Sequence, residues 1–327
     1  MLKPTGQNKF TLVLDSSQIA LFLTCPAQWH KRYVLRLVPV GYDPLKEEQA
    51  MHAGTYGHKL MDIYYRSKAE GLNLNDTIER CFAYNPDRDL CECGCPQDLH
   101  KEILTLQECQ RCGKCLSYRP HPFPLNQDTR FLVQNRFKDY IYKWKLNDFV
   151  PDSPQHVEIG FSEPIYEDNN NYFVLEGRMD LIASLQNQPC LVDHKFQMST
   201  HWLYGKSVQF KNYAMISNLT MLVINYVRLT KTVTEDTMSR DLVTFSRAEL
   251  DAWNKRLVDI YFDIKSAILL DTFIPNWSAC SGYGKTFKKA EPRYCWYRDL
   301  CEESNDRIAE RKQDLLFKIK EATWRPW

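Results

Sequence analysis

Leu175-Glu-Gly-Arg-Met-Asp180-Leu-Ile-Ala-Ser-Leu185, followed by Gln186-Asn-Gln-Pro189 and then Cys190-Leu-Val-Asp193-His-Lys195, is the stretch on which the reading of this chain turns. Two short apolar runs flank a polar turn. That pattern predicts a β-hairpin, with residues 172–175 and 179–185 leading in and 190–196 leading out. Residues two apart on a strand point to one face, so Asp193 and Lys195 project together and His194 projects away. If Asp180 joins them from the neighbouring strand, two carboxylates and an ammonium converge. Such a set suits Mg²⁺ or Mn²⁺, with the lysine available to steady charge on a phosphate. An isolated Asp-x-Lys on a strand is most often a solvated pair, but this one has company. Gly54-Thr-Tyr-Gly-His58-Lys-Leu-Met-Asp62 lies upstream and Gln209-Phe-Lys-Asn-Tyr213 lies downstream.

In that order His58, Asp180, Asp193-x-Lys195 and Gln209-x-x-x-Tyr213 resemble the RecB-like branch of the PD-(D/E)XK nuclease superfamily, over residues 16–301. The resemblance implies an α/β, restriction-endonuclease-like core: a central mixed sheet flanked by helices. It implies His58, Asp180 and Asp193 as ligands for Mg²⁺ or Mn²⁺ and Lys195 as the catalytic lysine. Gln209 and Tyr213 match the helix that positions the lysine and the nucleic acid. The implied activity is a metal-dependent deoxyribonuclease, an exonuclease on single strands or DNA ends, in replication, recombination, repair or CRISPR adaptation. The chain shows no helicase motifs, so unwinding would come from a helicase or an integration partner. The alternative from another class is a non-catalytic DNA-binding or assembly module with structural metal sites, and a third is a zinc-only regulatory protein.

Composition sets the frame. The chain has 327 residues, enough for one large or two modest domains, and an ordinary apolar share of 44%. With 42 basic and 41 acidic residues the net charge is +1, so any grip on phosphate must come from local basic groups or from metal. No apolar run follows the N-terminus as in a signal peptide, and none approaches the about 18 residues of a spanning helix. The expectation is an intracellular protein away from membranes, cytoplasmic or equally a viral protein in a host cell. Twelve cysteines are many for such a chain, which favours metal ligation over disulfides.

Along the chain, Asp15 is a helix N-cap ahead of an Ile19, Phe22 and Leu23 stripe, and Cys25-Pro26 breaks that helix. Residues 54–65 read as a helix with His58 and Asp62 on one face; Asp62 is a candidate to hold the other nitrogen of His58, or is a plain surface acid. Helices are also expected at 129–147, with an aromatic core stripe including Phe131 and Phe137, and at 207–222, 246–270 and 312–327. Strands are expected at 156–165, 223–231 and 241–244. Glu158 and Glu163 are possible further carboxylates.

Between Cys91 and Cys115, six cysteines and His100 fall within 25 residues. Such a segment has no core of its own, and metal would replace one. The Cys-x-Cys-Gly, His, Cys-x-x-Cys order reads as a zinc knuckle on Cys93, His100, Cys109 and Cys112, with Cys91, Cys95 and Cys115 as alternates. It either staples an inserted loop or grips DNA beside Lys101, Arg111, Lys114 and Arg119. Domains are then 1–84 (N-terminal helical part), 85–120 (zinc insert) and 121–327 (core and C-terminal cysteines). Cys25-Pro-x-x-Trp29 and Cys295-x5-Cys301 resemble the iron–sulfur subgroup of RecB-like nucleases, the AddB and CRISPR-adaptation types. Pro292 stands where that subgroup has another cysteine, which leaves Cys280 for the place. The resemblance thus implies a 4Fe–4S cluster on Cys25, Cys280, Cys295 and Cys301, stapling the N-terminal to the C-terminal region. Structural zinc on the same ligands is the rival.

Overall fold

The computed structural model describes residues 9–40, 49–84, 100–103, 106–109, 115–116, 125–197, 207–280, 295–303 and 306–319. In chain order they form β1 (Phe10–Leu14), α1 (Ser16–Thr24), α2 (Pro26–Trp29), a π-helical turn (His30–Val34), β2 (Leu37–Pro39), α3 (Gln49–Ala69) and α4 (Leu74–Ala83). Next come β3 (His100–Ile103), β4 (Leu106–Cys109), β5 (Cys115–Leu116), α5 (Gln127–Trp144), β6 (Val157–Glu167), β7 (Asn171–Leu185) and β8 (Gln188–Gln197). The remainder is α6 (Val208–Ser217), β9 (Met221–Arg228), β10 (Met238–Thr244), α7 (Arg247–Leu269), α8 (Trp277–Cys280), α9 (Arg298–Cys301), α10 (Asp306–Leu316) and β11 (Phe317–Ile319).

The centre is a mixed six-stranded sheet in the order β1-β7-β8-β9-β10, with β6 on the other edge of β7. β7 and β8 are the expected hairpin. Gln186 and Asn187 at its tip both have positive φ, 51° and 63°, as a tight two-residue turn requires. β1 lies parallel to the first half of β7, and β8 pairs antiparallel with its last five residues. The β7–β8 ladder ends at Leu181↔Val192. Beyond that pair the strands diverge, and β8 turns to run parallel with β9. Asp180 and Asp193 are the first residues past the split.

Alternation along the strands feeds two helical layers. Val192, Phe196, Val223 and Val227 pack under α3 and α5, against Tyr56, Leu60, Tyr65 and Phe137. Leu191, Leu222 and Ile224 face α6 through Phe210 and Ala214. α7 covers β1 and the first half of β7 through Trp253, Leu257 and Tyr261. α3 meets β8 so closely that a Cβ on Gly57 would lie 2.3 Å from the Phe196 ring. Gly57→Ala is therefore expected to cost about 1–3 kcal/mol of stability, read as a lower urea midpoint, with Phe196→Leu on top recovering part of it.

The structure corrects three expectations and adds one strand. α6 stops at Ser217 because Asn218 caps it in the left-handed region (φ 61°), so Met221 and Leu222 belong to β9 rather than to a helix through 222. Residues 10–14 form β1, not anticipated from the sequence. Phe131 is 63% exposed instead of joining the aromatic stripe, while Phe137, Tyr140 and Ile141 are core. The C-terminal segment is not all helix: Phe317–Ile319 pairs antiparallel with Leu37–Pro39. Among the described residues, no helix is long and apolar enough to cross a membrane.

Candidate active site

The split between β7 and β8 collects the polar side chains. On β8, Asp193 and Lys195 face α6, and the Lys195 ammonium stands 2.7 Å from Asp193 Oδ2. Gln209 of α6 donates Nε2 to Asp193 Oδ1 at 3.2 Å and to the Tyr213 hydroxyl at 2.9 Å, which the one-turn spacing of Gln209 and Tyr213 allows. Lys195 also lies over the Phe210 ring, 5.6 Å from its centroid. On β7, Asp180 Oδ2 accepts the His194 backbone N–H at 2.7 Å and lies 3.3 Å from Nδ1 of His58, which α3 brings across the split. His58, Asp180, Asp193, Lys195, Gln209 and Tyr213 are thus gathered at one place.

Glu158, left open by the sequence, is also there. Single ligand atoms of His58, Glu158 and Asp180 lie within 4.8 Å of one another, whereas Asp193 sits outside that cluster and faces Lys195 and Gln209. Glu158 reaches the cluster from within β6. Val157 pairs with Leu181 and Ile159 with Met179, so Glu158 stands opposite Asp180, and its φ of 54° is left-handed. A non-glycine residue held there is strained, which such sites tolerate when neighbours enforce it. Arg66 supplies the enforcement by donating to the carbonyls of Pro154 at 3.2 Å and Val157 at 2.8 Å. Arg178 adds an ion pair to Glu158 at 2.7 Å. Asp62 does not hold His58. It is buried and instead takes Lys59 at 2.6 Å and Arg66, and so serves Glu158 indirectly.

The electrostatics are those of a cation site. Burial pushes the Glu158 and Asp193 carboxyls above the usual range, with Asp180 adding to both and Lys195 opposing the shift at Asp193. Asp180 goes the other way: burial would raise it, but His58 overcomes this and holds it well below the usual range. His58 is raised in return, since Asp180 outweighs its burial. Asp193 Oδ2 is fully buried, with the Lys195 ammonium 2.7 Å away as its ion-pair partner. Carboxylates crowded in a largely buried place fit a hard divalent ion such as Mg²⁺ or Mn²⁺.

The cysteines fall into three groups. Cys91, Cys93, Cys95 and Cys112 lie outside the described residues. His100 and Cys109 are cross-strand partners in the small β3-β4-β5 sheet, and Cys115 pairs with Glu108 there. Cys25 is buried between α1 and α2, and its Sγ accepts the Asn276 backbone N–H at 3.4 Å. Asn276 Nδ2 donates to Thr24 O at 2.8 Å, which sets the start of α8, the helix ending at Cys280, beside Cys25. Cys295 and Cys301 pack against Leu37, Tyr297, Leu300 and Phe317. Cys25 is a free thiol.

A family model described as the PD-(D/E)XK nuclease superfamily matches residues 16–302. No curated protein matches the chain. Among solved structures, one described as "Crystal structure of SSO0001" is similar at 12% identity over 46% of this chain and 71% of that one, with a TM-score of 0.25.

Proposed function

The chain belongs to the PD-(D/E)XK nuclease superfamily, and from that premise we propose that it is a Mg²⁺- or Mn²⁺-dependent deoxyribonuclease, an exonuclease working on single strands or ends. The observation that carries the reading is the split between β7 and β8. It sets Asp180, Glu158 and His58 around one point and Asp193 with Lys195 next to it. A bound Mg²⁺ or Mn²⁺ would neutralise a phosphodiester oxygen and make water a better nucleophile at neutral pH. His58, Glu158 and Asp180 would hold it, with Asp193 closing the site from the β8 side. Lys195 would offset the charge that builds on the scissile phosphate, from a partly buried position where the ammonium is worth more than in water. Gln209 keeps Asp193 turned toward Lys195, and Tyr213 holds Gln209.

The proposal extends to two structural metals. Cys25, Cys280, Cys295 and Cys301 would carry a 4Fe–4S cluster. The N–H···S contact from Asn276 to Cys25 suits a cluster thiolate, and β2–β11 pairing already brings the C-terminal segment to the N-terminal one. His100 facing Cys109 across β3 and β4 supports zinc in the insert, with Cys93 and Cys112 completing it. A helicase or recombination partner would supply unwound strands.

The test is cleavage of end-labelled single- and double-stranded DNA by anaerobically purified protein. We expect cleavage with Mg²⁺ or Mn²⁺, none with EDTA, and a ladder that reveals the polarity. A preparation that retains iron and zinc, binds DNA and leaves it intact would instead make the chain a DNA-binding assembly module. Metal analysis of the same sample should show iron with visible absorption beside zinc, and zinc without iron would assign the C-terminal thiolates to zinc.

A further inference from the structure

Lys195, Gln209 and Tyr213 meet Asp193 on the α6 side of the sheet, and a second polar constellation lies on the α3 side. His194 on β8, Asn225 on β9 and Arg240 on β10 are direct partners in register across three neighbouring strands. Asn225 Nδ2 donates to His194 Nδ1 at 2.8 Å, and Arg240 Nε reaches Asn225 Oδ1 at 3.4 Å. Arg240 goes on to Asp148 Oδ1 at 2.7 Å, with its guanidinium between the Trp144 and Phe149 rings at 4.0 and 3.9 Å. Asp148 returns the row to α3 by accepting the Tyr65 hydroxyl at 2.9 Å and Lys68 Nζ at 3.0 Å. The Tyr65 ring then stacks on His194, 5.4 Å between centroids and 14° from parallel. His194 and Asn225 are 2% and 0% exposed, so a polar row runs under an otherwise apolar helical layer.

This row has no place in the chemistry, yet it ends on the residue between Asp193 and Lys195. The β7–β8 ladder has stopped at Leu181↔Val192, so no strand pairing fixes Asp180 against β8. The His194 backbone N–H on Asp180 Oδ2 does so instead. Side chains alternate across a strand, so anchoring the His194 ring on one face sets the directions of Asp193 and Lys195 on the other. Tyr65 lies on α3, two turns beyond His58 on the same side, and the same helix delivers the His58 imidazole to Asp180.

We propose that the His194–Asn225–Arg240–Asp148 row is a positioning device for the metal site: by bridging β8 to β9, β10 and α3, it holds Asp180, Asp193 and Lys195 in the geometry that binds the cation. The inference rests on the metal-site reading above, and its test separates the two. Mn²⁺ binding to the full-length protein, without DNA, is followed by electron paramagnetic resonance for wild type, Asn225→Leu and Asn225→Asp. The leucine breaks the bridge; the aspartate keeps it by accepting a hydrogen bond from the Nδ1–H form of His194 and still meets Arg240. Asn225→Leu is expected to weaken Mn²⁺ binding about ten-fold or more, in the range of outer ligand-supporting contacts. Asn225→Asp should return it to within about three-fold of wild type. Should Asn225→Leu fold poorly, His194→Phe with Asn225→Leu removes donor and acceptor together and leaves neither stranded. That pair should recover the melting temperature without recovering Mn²⁺ affinity. Unchanged affinity in the leucine variants, or equal weakening in Asn225→Leu and Asn225→Asp, overturns the positioning role and leaves the row structural. A wild-type protein that holds no Mn²⁺ would bring down the metal-site reading, and this inference with it.

Discussion

Replacing Lys195 with methionine is expected to slow single-turnover DNA cleavage by about 10²- to 10³-fold at saturating Mg²⁺, the loss seen when a single charge-stabilising donor is removed from an active site. Binding of Mn²⁺ and of DNA should barely change. Methionine keeps an unbranched apolar stem and deletes the ammonium that stands 2.7 Å from Asp193 and over the Phe210 ring. The fold should survive, because Asp193 is a group whose carboxyl burial already pushes upward. In the metal-free variant it takes up a proton rather than standing as an unpaired buried charge, and a bound cation would displace that proton. Asp180→Asn is the contrast. It removes the carboxylate shared by His58 and the His194 N–H, so Mn²⁺ binding itself should fall along with cleavage. One variant then loses chemistry with the cation in place, and the other loses the cation. A folded Lys195→Met protein that still cuts DNA would remove Lys195 from the mechanism.

How far the sequence reaches is clear from particular residues. The hairpin was legible because alternation, an acid and a lysine two residues later, and a polar tip fall within 25 residues, and each is a local signal. His58, Gln209 and Tyr213 were legible only through the resemblance, since a histidine on an apolar helix face is ordinarily core. Glu158 could not be placed. Its position depends on pairing opposite Asp180, 22 residues away, and on a left-handed backbone that a glutamate does not advertise. The row behind the site was invisible for the same reason. Asn225 lies among the apolar residues of β9 and Arg240 among the polar residues of β10, and only the three-strand register makes them neighbours of His194. Helical spacing left Asp62 either a partner of His58 or a plain surface acid, and it is neither. The spacing does put them on one face, but two cations on the same helix compete for the carboxylate and win it. β1 was missed because a five-residue apolar run gives no period to distinguish it from the approach to a helix.

Asp148→Ala is expected to destabilise the protein by about 3–5 kcal/mol, the cost of breaking a buried ion pair from one side. Asp148 follows α5 in the chain and is nearly fully buried. It accepts Lys68, Arg240 and the hydroxyls of Tyr64, Tyr65 and, at 3.3 Å, Tyr140. Its removal leaves the Arg240 guanidinium, 8% exposed, and the Lys68 ammonium without their shared counter-charge, as well as three phenols short of an acceptor. Against a typical total stability of about 5–15 kcal/mol, such a loss is large enough to move the urea midpoint well outside error. Asp148→Asn keeps the shape and isolates the charge, and its pH dependence has a definite sign. Burial alone would raise the Asp148 carboxyl, but Lys68 and Arg240 outweigh it and hold the folded-state pKa below the ordinary value. A carboxyl depressed on folding contributes stability in full above its unfolded pKa of about 4 and loses it as the pH falls through the folded value. The stability gap between wild type and Asp148→Asn should therefore be flat from about pH 6 to 8 and shrink below about pH 4, where the wild-type carboxylate takes up its proton. A gap that stayed constant into acid, or one below about 1 kcal/mol at neutral pH, would mean that Asp148 works as a hydrogen-bond acceptor and not as the counter-ion of this layer.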